Sequence, residues 1–217
     1  GVAEHLDVQL SSFVTVADVN KVKMYMKNFG EFYDDQISHA SCIILSRTQN
    51  ATEEKIAAAV AMLREKNPTA TIVTTAWDAL TGEQILKAMS TKDDFKAELI
   101  AMAAKANEEH AHEDEEEEHE HHHDHDADEV FTSWGVETAK KFSKADIEHA
   151  LTELDTGNYG MILRSKGIVD GGADGWLEFD YVPGEWEVRA RGADVGGKLV
   201  VIGSKLDEKA IAALFGC

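Results

Sequence analysis

The stretch Ser41-Cys42-Ile43-Ile44-Leu45-Ser46 is an apolar run framed by serines. It is too short for a helix and reads as a strand buried on both faces. Downstream, Thr52 caps a predicted helix carrying Ile56, Val60 and Leu63, which stops by Asn67-Pro68. Ala70 to Thr75 is the next apolar strand, and Thr81 with Gln84 spells a capping box for a helix through Ile85 and Met89. Upstream, Ser12 to Asp18 is β-branched and reads as another buried strand, followed by a short helix from Asn20 to Phe29 ending at Gly30. Helical character resumes from Asp93 to Ala106 through Phe95, Leu99 and Met102. Buried strands separated by helices imply a parallel sheet with right-handed crossovers, half of a doubly wound α/β domain. Three strands alone leave long open edges, so the other half is expected upstream of Gly1.

Beyond this region the charge changes abruptly. The 217-residue chain carries 41 acidic and 21 basic side chains, a formal net charge of −20. Between Glu108 and Glu129 lie 13 acids, no Lys or Arg, and seven of the ten His. Without that stretch 28 acids face 21 bases, an ordinary balance. Residues 107–129 show no apolar periodicity, and their like charges repel, which predicts a disordered linker rich in His and acid. His110, His112, His119, His121, His122, His123 and His125 offer imidazole nitrogens, with carboxylates between them as secondary ligands. Zinc, foremost, and cobalt or nickel accept such donors, in competition with protons. A flexible run imposes no coordination geometry, so several exchangeable sites suited to capturing metal are expected. A solvated acidic linker with incidental His is the plainer alternative.

From residue 130 onward strands dominate. Glu129 to Val136 and Met161 to Leu163 read as strands, and Ser143 caps a helix with Ile147, Ala150, Leu151 and Leu154 on one face. Leu177 to Tyr181 and Trp186 to Ala190 alternate apolar with polar around Val182-Pro183-Gly184-Glu185, a hairpin signal. Leu199 to Ile202 is a last strand and Asp207 to Phe215 a last helix. The fold class is thus α/β plus α+β: a partial parallel sheet, the linker, then a small antiparallel sheet with two helices on one face. The corresponding domains are 1–106, 107–129 and 130–217.

Several function classes recede. No basic patch suits a nucleic-acid backbone or an anionic membrane. The longest apolar run, Ile56 to Leu63, is far short of a membrane span. Two cysteines, Cys42 and Cys217, make no disulfide framework, which suits a reducing cytoplasmic setting. Cys42 reads as a core thiol, Cys217 as a frayed terminal residue, and His5, His39 and His149 as isolated. Gly192 to Leu199 nearly spells a P-loop, but Leu199 stands where a magnesium-ligating hydroxyl is required and a strand follows instead of a helix. It reads as a Gly-rich hairpin turn. Ser46-Arg47-Thr48-Gln49 closes the second strand at the carboxyl edge, where α/β proteins bind ligands.

In order, these parts resemble the CobW family of P-loop GTPases, which are metallochaperones: a GTPase-type α/β half, a His-rich linker and a CobW C-terminal domain. The likeness rests on Phe13 to Asp18, Asp35-Gln36-Ile37 with Ala40 and Ile43 to Leu45, Leu63-Arg64, Asn67 to Ala70, and Ile72. In the last part it rests on Arg164-Ser165-Lys166-Gly167, Trp176 and the hairpin after it. The resemblance implies a GTP site with Mg, for which the P-loop and Walker B residues are absent here. Hydrolysis is therefore expected of a full-length member and not of this chain alone. It places Ser46, Arg47, Thr48 and Gln49 where the family has its guanine-specifying NKxD motif. Gln49 accepts at one oxygen where the motif's Asp accepts at two, which weakens a preference for guanine. A client protein receiving the metal, and a homo-oligomer, are the implied partners. The alternatives are a non-enzymatic metal buffer and an acidic interaction module without metal.

Overall fold

The computed structural model describes residues 12–90 and 132–217. The chain divides into two compact units, Gly1–Asp93 with Ala193–Gly196, and Asp94–Gly192 with Gly197–Cys217. The predicted helix at 93–106 and the His-rich run lie outside the described residues.

The first unit holds β1 (Val14–Asp18), α1 (Val22–Ser38), β2 (Cys42–Ser46), α2 (Glu53–Lys66), β3 (Thr71–Val73) and α3 (Gly82–Ser90). Its strands lie in the order β1-β2-β3, all parallel, as the alternation of strands and helices requires. Thr52 caps α2 by accepting from Lys55 N, and Thr81 exchanges bonds of 2.8 and 3.2 Å with Gln84 ahead of α3. Cys42, Ile44, Val73 and Ala88 pack together with Ile85 and Met89. Asn67 fastens the turn from α2 to β3: its amide donates to Ile37 O and Ala40 O, each at 2.8 Å, and its Oδ1 accepts from Ala70 N at 2.9 Å.

Two expectations fail here. Gly30 does not end the first helix; it kinks it, at φ +42 and ψ −118, and helix resumes to Ser38. The resumed part is anchored because Tyr33 and Ile37 are buried. Nor is β1 buried on both faces, since Val16 is 56% exposed. The β-branched pattern marks a strand but does not say whether a neighbour covers it.

The second unit holds β4 (Thr132–Thr138), α4 (Lys144–Leu154), β5 (Met161–Asp170), β6 (Trp176–Val182), β7 (Glu185–Arg191), β8 (Gly197–Ser204) and α5 (Glu208–Phe215). The sheet order is β4-β8-β5-β6-β7, antiparallel throughout. Its core joins α4 through Ile147, Ala150, Leu151 and Leu154, and α5 through Ile211 and Phe215, to Phe179, Tyr181, Leu199 and Val201 of the sheet. Gly167 is required by close approach, because a Cβ there would run into the Phe179 ring. Tyr181 faces Trp186 across the hairpin, and its hydroxyl donates to Asp155 at 2.5 Å, tying β6 to the end of α4.

The segment after Arg191 is not the hairpin turn that its glycines suggested. β7 is an edge strand and β8 is separated from it by β5 and β6, so residues 192–196 form a crossover. The rejection of a P-loop stands, since β8 begins at Gly197. Cys217 is not frayed: its backbone N–H donates to Ala212 O at 2.9 Å.

Candidate functional site

Parallel strands end on one side, so the carboxyl ends of β1, β2 and β3 gather Asp18, Ser46 and the residues after Val73 on a single edge. Asp18 organises the first of these ends. Its Oδ1 accepts from Asn20 N at 3.0 Å, turning the chain toward α1, and its Oδ2 lies 3.3 Å from Arg47 Nε. Asn20 in turn accepts from Lys55 Nζ at 3.0 Å. Behind them stands Tyr33, whose phenol pKa is raised by burial and further by Tyr25 and Asp18.

Ser46 is spent on structure. Its Oγ donates to Ala17 O at 3.2 Å and its carbonyl accepts from Val19 N at 3.2 Å, lacing β1 to β2. Arg47 adopts φ +67, a left-handed conformation that costs a side-chain-bearing residue free energy. That reversal turns Thr48 inward, where it is 6% exposed and its Oγ1 is buried without a hydrogen-bond partner. A polar atom in that condition is the kind of group a ligand satisfies. Gln49 points to solvent within the one-turn 3-10 segment Thr48–Asn50. At the third strand end, Thr74 N and Thr75 N both donate to Val195 O, at 2.8 and 3.1 Å, and Gln84 Nε2 donates to Ala193 O.

The four residues singled out from the sequence therefore share one edge with different duties: lacing, ion pairing, a buried unpartnered hydroxyl and an exposed amide. Asp18, Asn20 and Lys55 were missed. For Asp18 and Asn20 a signal was available, because Asp18-Val19-Asn20 closes a predicted strand as Ser46-Arg47-Thr48-Gln49 does, whereas Lys55 sits inside a predicted helix and carried none. The edge offers no metal centre: among the described residues no three His, Cys, Asp or Glu side chains converge. The seven His of the acidic run lie outside those residues. His39 is taken up by Asp35, at 3.1 Å, and His149 is exposed on α4.

On the antiparallel sheet, the charged side chains of β5, β6 and β7 balance one another. Arg189 reaches Asp180 at 2.8 Å, Glu178 at 3.2 Å and Glu187 at 3.2 Å, and Lys166 reaches Glu178 at 3.7 Å. No helix of the described residues is long and apolar enough to cross a membrane.

Residues 131–217 match the model of the cobalamin synthesis protein cobW C-terminal domain. No curated protein matches the chain. Among solved structures, the Zn(II)-bound YjiA GTPase from E. coli is similar at 16% identity and a TM-score of 0.36, covering 100% of this chain and 63% of that one. A Zn(II)-bound triple mutant of YjiA GTPase is similar at 17% identity and a TM-score of 0.36, over 96% of this chain and 61% of that one. The chain thus spans less than two thirds of the length of the structures it resembles.

Proposed function

From the match of residues 131–217 to the cobW C-terminal domain, we propose that this chain is the carboxyl-terminal part of a nucleotide-dependent metallochaperone. The observation that carries the reading is the order within one chain: a parallel α/β unit, a run of seven His among 13 acids, and the family domain. In this reading 107–129 is the linker, and its His collect zinc, or cobalt or nickel, as cargo. The C-terminal domain meets the client protein that receives the metal, or a second subunit. The carboxyl edge of the parallel sheet supplies the base side of a nucleotide site through Ser46, Arg47, Thr48 and Gln49. The unpartnered Thr48 hydroxyl fits such a ligand, whereas a phosphate cradle is not among these residues. Nucleotide hydrolysis with Mg accordingly needs P-loop residues that this chain does not contain.

Calorimetric titration with zinc tests the metal half of the proposal. The intact chain should bind more than one zinc, and a chain lacking residues 108–129 should lose that binding. An unchanged titration after deletion would remove the linker from the function. The nucleotide half is tested on a full-length protein that includes a P-loop, where zinc should stimulate hydrolysis; no stimulation leaves only metal buffering.

A further inference from the structure

We infer that β7 is a self-pairing edge, the surface through which the antiparallel domain takes up a second copy of this chain. The inference goes beyond the metal and nucleotide reading and rests on neither. β7 stands last in the sheet order, with β6 on one side and no strand on the other among the described residues. Val182 and Glu185 face each other across the two-residue turn Pro183-Gly184, so they form a hydrogen-bonded pair. Such pairs alternate along an antiparallel ladder. The backbone groups of Glu187 and Arg189 therefore turn to β6, and those of Trp186, Val188 and Ala190 turn to the open edge. A row of backbone donors and acceptors at an edge is a template for another strand.

The sequence of β7 is its own complement. Along one face of Glu185–Arg191 run two acids and then two bases: Glu185, Glu187, Arg189 and Arg191. In antiparallel pairing about a two-fold axis at Val188, Glu185 meets Arg191 and Glu187 meets Arg189, each of them twice. That axis also sets the outward backbone groups of Val188 against their own copies, as a hydrogen-bonded pair requires. Moving the axis by one residue puts Glu187 opposite Glu187 or Arg189 opposite Arg189. Parallel pairing in register puts like on like throughout, and like charges directly opposite are destabilising. One register is thus selected. On the other face it brings half-buried Trp186 against exposed Ala190, a large side chain against a small one.

The opposite edge of the same sheet lacks this pattern. β4 carries one charged residue, Glu137, and antiparallel pairing about Gly135 would set it against Ser133. Nor do the charges of β7 merely blunt an edge, since a blunting pattern sets copies to repel one another. The Glu187 side chain is 70% exposed, although Arg189 lies 3.2 Å away in the same chain, so it is open to a second arginine. Pairing about a two-fold axis is closed and stops at two copies. A strand of seven residues buries less than a permanent interface does, so the dimer is a weak, reversible one.

Sedimentation velocity over a concentration series of the 217-residue protein tests this. The unaltered protein should pass reversibly from monomer to dimer, and added salt should favour the monomer. Ala190→Pro removes an N–H that faces the open edge and none that β6 uses, a substitution that edge strands tolerate. It should weaken the dimer by about tenfold or more. Glu187→Lys changes an exposed side chain, sets Lys opposite Arg189 twice in the dimer, and should weaken it by about tenfold. Circular dichroism should show the native spectrum for both variants. A dimer that Glu187→Lys leaves at full strength is held by another surface and overturns the proposal. So does a protein that stays monomeric at every concentration, as it would if another segment of the same chain capped β7. Either result leaves the metal and nucleotide reading standing.

Discussion

The two sheets of this chain bury themselves to different degrees. The antiparallel domain encloses Phe179, Leu151, Leu199 and Ile211 completely, and among its described residues only Met161 and Val182 are large apolar side chains left exposed. The parallel unit is formed by equally regular strands and helices, yet Phe13, Val16, Met24, Phe29, Phe32, Trp77 and Leu86 are exposed there. Among the described strands β1 pairs on one edge only. Local signals built both regions equally well; closure against water is a tertiary property that the described residues of one of them lack. A surface of that kind is what a larger domain would bury.

The strongest way to break the comparison is to damage the closed core. Phe179→Ala removes a fully buried ring that stacks on Phe215 at 6.3 Å, and should cost about 3–5 kcal/mol. Hydrogen exchange read by peptide should then show β5, β6 and β8 losing protection while β2 and α2 keep theirs. Equal loss in β2 would mean that the two regions fold as one, and the contrast would fail.

The counterpart in the parallel unit is Asn67→Ala. The amide satisfies Ile37 O and Ala40 O in a buried turn, and its removal takes that partner from Ala40 O and Ala70 N, while Ile37 O keeps its bond from Ala40 N. A loss of about 3 kcal/mol is expected by urea denaturation, with the change confined to β2, β3 and α2. A loss below about 1 kcal/mol would show that the turn is held by something other than this side chain.

Much of this was legible in the sequence, and the limits have physical causes. Thr52, Thr81–Gln84 and Ser143 announced their helices because a cap is a contact between near neighbours. The Pro183-Gly184 hairpin was equally local. Gly30 misled because a glycine both ends helices and kinks them, and only the burial of Tyr33 and Ile37 decides between the two. Gly192 to Gly197 misled because a hairpin and a crossover use the same residues, and strand order is set by the whole sheet. At the candidate edge, Ser46 to Gln49 was singled out by its place after a strand together with the family resemblance, but not its internal division of labour. Which hydroxyl is laced into the sheet and which is left without a partner depends on the left-handed turn at Arg47.

Thiol chemistry sharpens the comparison at a finer scale, because even the open unit has a closed centre. Burial pushes the Cys42 thiol from 9.0 up to about 11 and raises the Cys217 thiol too, but Cys217 is exposed and Cys42 is buried. At pH 8 a thiol reagent should label Cys217 quickly and Cys42 only through opening of the parallel unit. The raised value also ties stability to pH. The unfolded thiol loses its proton first, so this contribution is complete below pH 9 and is lost between about 9 and about 11. Cys42→Ala should flatten that slope. Rapid labelling of both thiols would mean that the parallel unit is open to its core.

The smallest effect compares the two regions through one kind of contact. Ser143 and Asp146 form a complete capping box, with Ser143 N donating to Asp146 Oδ2 at 2.9 Å and Asp146 N donating to Ser143 Oγ at 3.2 Å. Thr52 caps the α2 backbone through a longer bond, accepting from Lys55 N at 3.4 Å, and no reciprocal bond reaches its own backbone N–H among the described residues. Ser143→Ala should therefore cost about 1 kcal/mol and Thr52→Ala about half of that, read as shifts in the urea midpoint at constant slope. The hydrogen bonds from Ser143 hold the Asp146 carboxyl below its ordinary 3.8, so its contribution is present above that pH and fades as the pH falls further. The gap between Ser143→Ala and the unaltered protein should narrow in acid accordingly. Equal costs for the two caps at neutral pH would mean that the second half of the box adds nothing, and that the regions differ only in closure and not in the strength of their local contacts.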